Sequence, residues 1–182
     1  MRYTMKFAKY IFAILSVFNF LIIGCDNSPD TLEKGTFNVS INGYVEKSFS
    51  GSAIFEDIPY YNYTYFYLVL KEIDLSDEEY CYIEFQGTKL EKGTFELIDR
   101  ENDESTQGKL IGMYADSDNY DNYFSAGGEI KVTYSSDTEL IGNFDFPAVG
   151  YICIDGGEFQ RVEIRITGEF HAVEGDVGII IG

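Results

Sequence analysis

The sequence predicts an all-β fold, an antiparallel β-sandwich or partly open barrel of about 8–10 strands. Three observations carry this. Apolar and polar residues alternate with the two-residue period of a strand from Thr36 to Phe170. Turn residues interrupt the alternation at short intervals. No amphipathic helix longer than two turns stands out, and Asp74–Glu79 is the best candidate for a short one. Apolar-in, polar-out alternation implies a sheet with one wet face.

The N-terminus is built differently. Arg2, Lys6 and Lys9 are followed by an uncharged, mostly apolar run from Tyr10 to Ile23, then by Gly24 and Cys25. A positive start, an apolar middle and a small residue before the cut make a secretory signal. A membrane-spanning helix needs roughly 20 apolar residues, and this run is shorter. The stretch Leu21-Ile22-Ile23-Gly24-Cys25 resembles the lipobox of bacterial lipoproteins. The resemblance implies that residues 1–24 are cleaved as a signal peptide and that Cys25 receives a diacylglycerol. Acyl chains such as palmitate supply about 0.8 kcal/mol per buried CH₂, so several of them anchor a protein firmly in a membrane. Residues 25–35 are then a short lipid-anchored tether, and residues 36–182 a single β-domain. Asp26, Asp30 and Glu33 follow the cysteine. In some bacteria an Asp there retains the lipoprotein at the inner membrane, and in others acidic residues there favour surface display. The expected location is the bacterial cell envelope, with the outer membrane or cell surface ahead of the inner membrane.

The strands follow in order. Phe37, Val39 and Ile41 alternate with Asn38 and Ser40, and Asn42-Gly43 is a hairpin signal. A strict two-residue turn would set Glu46 opposite Val39. A three-residue turn with Gly43 at positive φ aligns Val45 and Phe49 with the apolar set. The second register is preferred, because a one-residue slip turns every side chain over. In Tyr63–Leu70, Phe66, Leu68 and Leu70 make one face, and Tyr63, Tyr65 and Tyr67 the other. Cys81, Ile83 and Phe85 alternate next, then Phe95 and Leu97, and Leu110–Tyr114 reads as another strand. Ile130, Val132 and Tyr134 share a face, and Ser135-Ser136-Asp137 turns the chain. Leu140, Gly142, Phe144 and Phe146 follow, then Val162, Ile164, Ile166, Gly168 and Phe170. The apolar tail Val177–Gly182 is expected to close the sheet as an edge strand.

Charge narrows the partners. The chain carries −18, and the signal holds three basic residues and no acidic one, so the mature chain carries −21 over 158 residues. That length suffices for one domain with a real core. The charge argues against nucleic acid and against an anionic membrane face. The acids are dispersed among aromatic and β-branched residues, which describes a charged skin and not a disordered tail.

Three segments carry a further resemblance: Gly127-Gly128-Glu129-Ile130-Lys131-Val132-Thr133-Tyr134, Leu140–Phe146 and Val162–Phe170. Together with Phe37–Gly43 they resemble a group of small bacterial β-rich lipoproteins of uncharacterised function. The resemblance covers about half of the mature chain. It implies a fold and an anchored location, and it brings no catalytic residue.

The chemistry-bearing residues are few. No Ser or Cys nucleophile motif, phosphate loop or dinucleotide fingerprint is present. His171, the single histidine, reads as a surface residue just past the last strand. The expectation is a non-enzyme without a resident cofactor. Cys81 and Cys153 are a candidate disulfide in an oxidising compartment, or two buried thiols. Two distant cysteines and one histidine make a poor zinc set. Asp116, Asp118 and Asp121 lie in an Asp- and Asn-rich loop that could offer oxygens to Ca²⁺ or be a solvated turn. Asp99–Glu104 reads as a solvated hairpin tip. Tyr61, Tyr63, Tyr65 and Tyr67 form a candidate ligand surface, since tyrosines can stack on sugars or anchor a protein, although a plain cross-strand ladder fits as well. The leading functional expectation is a non-enzymatic envelope lipoprotein binding a glycan or an envelope protein through its surface. A structural or assembly subunit using edge strands comes second, and a small hydrolase third.

Overall fold

Ten strands follow one another with no helix among the described residues: β1 Thr36–Gly43, β2 Lys47–Tyr60, β3 Tyr63–Glu72, β4 Cys81–Gly87, β5 Gly93–Glu96, β6 Ile111–Asp116, β7 Asp121–Ser125, β8 Glu129–Ser135, β9 Glu139–Cys153 and β10 Phe159–Glu174. The computed structural model describes residues 32–60, 63–73, 79–103, 109–117, 121–154 and 156–178. The signal, Cys25 and most of the tether lie outside the described residues, as does most of the helix candidate Asp74–Glu79. Residues from Leu32 onward cluster as one unit.

The all-β class is as the alternation predicts. The strands form one ten-stranded, mostly antiparallel sheet in the order β1-β10-β2-β3-β4-β6-β7-β9-β8-β5. β1 pairs with both β2 and β10, and β10 pairs with β9, so the hydrogen bonding runs round as a ring. It is not a clean barrel. β9 gives its first half to β8 and only Ala148 and Val149 to β7, and β5 hangs from β8 at the end of the order. On its other edge β9 changes neighbours beside Pro147, whose missing N–H falls between the β8 and β7 pairings, while the pairing with β10 runs on through Arg165. A sandwich and an open barrel both describe the result.

The inner face is filled with rings. Phe37, Phe66, Phe85, Phe146, Phe170, Tyr114 and Tyr123 are fully buried, with Leu68, Leu70 and Ile83 between them. The β1–β2 register keeps Phe49 on the apolar face, as expected, but is not that of a three-residue turn: Val39 faces Phe49, where such a turn would set Lys47 opposite it, and Gly43, at φ of 126°, lies at the end of β1 paired with Ile164. The connection is longer than three residues, since Ile41 and Lys47 are the last paired positions.

Two glycines on this face are occupied by their neighbours' rings. Gly142 lies opposite Phe170, and Gly168 opposite Phe144. A Cβ on Gly168 would come within 2.5 Å of the Phe144 ring and 2.6 Å of the Asn38 carbonyl. A Cβ on Gly142 would come within 2.8 Å of the Phe170 ring. Each glycine therefore leaves room for a phenylalanine on the paired strand, and the two rings stack with centroids 6.4 Å apart.

Two expectations are corrected here. Tyr134 does not share the inner face with Ile130 and Val132. A register shift between Val132 and Tyr134 inserts one residue, and Tyr134 turns out to be 49% exposed. His171 lies inside β10, not beyond the last strand. Of the tail Val177–Gly182 only Val177 and Gly178 are described, with the Val177 amide donating to Glu56 at 3.0 Å, and the edge-strand expectation otherwise lies outside the described residues.

Candidate outer-face binding site and the buried ionic cluster

Period-two geometry sends alternate side chains of β3 and β4 outward. On β3 these are Tyr65, Tyr67, Val69 and Lys71, and on β4 Tyr82, Glu84 and Gln86. Tyr65 is 41% exposed and Tyr67 half-buried, and their rings lie 6.5 Å apart. Tyr80 and Tyr82 form a second pair at 6.0 Å. Tyr61 and the Tyr63 side chain lie outside the described residues. The structure thus retains Tyr65 and Tyr67 on the outer face and adds Tyr80 and Tyr82 to them.

The registers define a row across this face. Ile54 on β2 faces Val69, Val69 faces Glu84, and Glu84 faces Met113 on β6. Met113 faces Phe124 on β7, and Phe124 faces Val149 on β9. Ile111 and Ala115 flank Met113 on β6 and are buried. An outer face that should be polar is therefore apolar and aromatic, with one carboxylate in its middle. Three open depressions lie off this row, one beside β5 at Thr94, Phe95 and Leu97, one between Phe37, Phe49 and Ile73, and one at Gly127, Glu129 and Arg165.

Burial in this setting pushes the Glu84 carboxyl above its ordinary range. Burial, followed by the charge of Glu84, does the same to the Tyr67 and Tyr82 phenols. A carboxyl raised on folding opposes folding once it is charged, so its cost grows as pH climbs from 4.5 through the folded value. Glu84→Gln is expected to raise Tm at pH 7, with the gain shrinking below pH 4.5. Thermal melts of both proteins across that range check it.

A second polar group lies where the β1–β2 connection meets the ends of β3, β4 and β6. Asp116 is 3% exposed. Its Oδ2 accepts from the Tyr114 hydroxyl at 2.7 Å and from Lys47 Nζ at 3.2 Å. Lys47 also reaches Glu72 at 3.3 Å and stands 5.6 Å over the Phe49 ring. Burial pulls the Lys47 ammonium down, but Cys81 and Asp116 beside it outweigh that, and its pKa is raised. Burial pushes the Cys81 thiol up to about 12, so at neutral pH it is protonated and Asp116 is the charge that holds Lys47. Asp116 is thus an ion-pair partner at the end of the core, where the sequence suggests a calcium ligand. Asp118 and the Asp121 side chain lie outside the described residues, and no group of three or more His, Cys, Asp or Glu gathers for a metal among the described ones.

The cysteines are not bridged. Cys81 is buried and Cys153 exposed, both as free thiols. β6 and β7 stand between their strands, and the side chains point to opposite sides, so the short Cα separation of a disulfide is out of reach. In a chain beginning at residue 26, one thiol is expected to react with Ellman's reagent at pH 8 and the second only on unfolding. Loss of the fast phase in Cys153→Ser identifies it.

His171 is not a surface residue. Its side chain is 16% exposed, with Nδ1 at 3.2 Å from the Leu32 carbonyl and Nε2 at 3.4 Å from Glu139. Lys34 pairs with the same Glu139. This fastens the start of the domain to β10, and no nucleophile is among these partners. Asp99 caps its own turn through the amides of Glu101 and Asn102, but the turn is no hairpin tip, because β5 before it pairs with β8 and β6 after it pairs with β4 and β7.

Neither Glu84 nor the Lys47–Asp116 pair is singled out by the sequence. Lys47 and Asp116 are 69 positions apart, and nothing local connects them. Comparisons with known proteins add nothing: no family model, no curated protein and no solved structure matches the chain.

Proposed function

We propose that the protein is a lipid-anchored protein of the bacterial cell envelope, and a non-enzymatic binding module that takes an envelope protein through the outer face of β2, β3, β4, β6 and β7. The row Ile54–Val69–Glu84–Met113–Phe124 is the observation that carries the binding half. A face of this breadth, with two tyrosine pairs along it, suits a flat protein surface better than a glycan. The anchor half rests on Leu21–Cys25 and on the resemblance to small β-rich lipoproteins. The assembly reading has one observation of its own, the short strand β5 at the end of the strand order.

Two variants test the two halves. Cys25→Ser is expected to abolish labelling by an alkyne-palmitate and to move the chain out of the membrane fraction. The double variant Tyr65→Ala, Tyr67→Ala is expected to lose its cross-linked partner in intact cells by tenfold or more while keeping the β-sheet circular-dichroism spectrum. Labelling that survives Cys25→Ser contradicts the anchor, and unchanged cross-linking contradicts the face.

A further inference from the structure

Glu84 is out of place in its row. The other row members on β2, β3, β6 and β7 are Ile54, Val69, Met113 and Phe124. The second outer-face carboxylate, Glu56, receives the Val177 amide at 3.0 Å. Glu84 has no hydrogen bond or ion pair among the described residues. The groups facing it are Tyr67 and Lys71 diagonally on β3, Tyr82 on its own strand, and the uncharged Ile111, Met113 and Ala115 on β6. Lys71 is exposed and forms no ion pair with it among the described residues.

Elementary chemistry says what completes such a point. A carboxylate between two phenol rings on a dry surface lacks a cation. Aromatic faces attract cations as well, most of all the flat guanidinium of arginine. Desolvating this carboxylate against an apolar partner would be prohibitive unless that partner brought the opposite charge. The raised Glu84 carboxyl agrees: the chain tolerates a group that opposes folding and supplies no partner for it.

Building on the binding role proposed above, we infer that Glu84, flanked by Tyr67 and Tyr82, is the recognition point for an arginine side chain set in an apolar surface of the partner protein. Apolar contact around the row supplies area, and the Glu84–arginine pair selects the partner and fixes its register.

The test uses the full chain labelled with 3-fluorotyrosine, with the Tyr67 and Tyr82 signals assigned through their Phe variants. Two probes are titrated and followed by ¹⁹F NMR, acetyl-Phe-Arg-Phe-amide and the same peptide with neutral citrulline in place of arginine. The expected result is saturable movement of both signals, at least tenfold tighter for the arginine peptide, with that preference lost in Glu84→Gln. Glu84→Gln keeps the shape of the side chain, so a folding failure does not confuse the comparison. Equal binding of the two peptides overturns the arginine recognition and leaves the binding face standing. No movement with either peptide overturns both. A preference that survives Glu84→Gln overturns the assignment to Glu84.

Discussion

Gly168→Val is expected to cost about 3 kcal/mol, near the upper end of what overpacking a core usually costs. The added Cβ would meet the Phe144 ring on one side and the Asn38 carbonyl of β1 on the other, both well inside contact distance. The ring cannot retreat, because it packs against Phe85, Phe146 and Phe170. The carbonyl belongs to the β1–β10 ladder that closes the ring of strands. Relief on either side therefore disturbs the closure. Urea melts of the variant should show the midpoint falling sharply. Gly127→Ala is the control: its added Cβ meets nothing within 4 Å, and only its φ of 93° is strained, which costs about 1 kcal/mol. Equal losses in the two variants would mean that backbone conformation and not the Gly–Phe exchange governs these sites.

Lys47→Met is the second large effect, about 2 kcal/mol, because it leaves the Asp116 carboxylate buried without its ammonium. The triple variant Lys47→Met, Asp116→Leu, Tyr114→Phe is expected to recover most of the loss, since it removes the charge and the hydroxyl donor together. The pH dependence has a definite sign. The Lys47 pKa is raised above 10.5, so its contribution is complete below that pH and is lost as pH rises through the folded value. The Cys81 thiol goes the same way, from 9.0 in the open chain to about 12 when buried. Stability should therefore decline above pH 9, and Cys81→Ala should delay the first part of that decline. Alkaline unfolding curves of the parent protein, Lys47→Met and Cys81→Ala measure it.

Much of the fold is legible in the chain because each strand declares its inner face. Phe37, Val39 and Ile41, or Cys81, Ile83 and Phe85, need only alternation to be placed, whereas the length of the first connection escapes it: Asn42-Gly43 suggests a three-residue turn, and Ile41 pairs instead with Lys47. Strand order is another matter. Nothing in β10 announces that Phe159–Glu174 pairs with β9 along its whole length and with β1 on the other edge. Tyr134 is misplaced because a bulge breaks parity without leaving a mark in composition. The candidate site is harder still. Alternation treats Tyr82, Glu84 and Gln86 as an ordinary wet face, and only the registers of five strands reveal the apolar row around Glu84. Asp116 reads as a loop ligand until Lys47 is brought to it from the far side of the sequence.

Site-specific photo-crosslinking in the intact cell probes the outer face itself. Benzoylphenylalanine placed at Met113 should give one discrete adduct that Tyr67→Ala weakens, and the same group at the exposed Lys131 on β8 should give none. An adduct at Thr94 on the β5 edge, with none at Met113, would contradict the outer face as the binding surface and favour assembly through the edge strand.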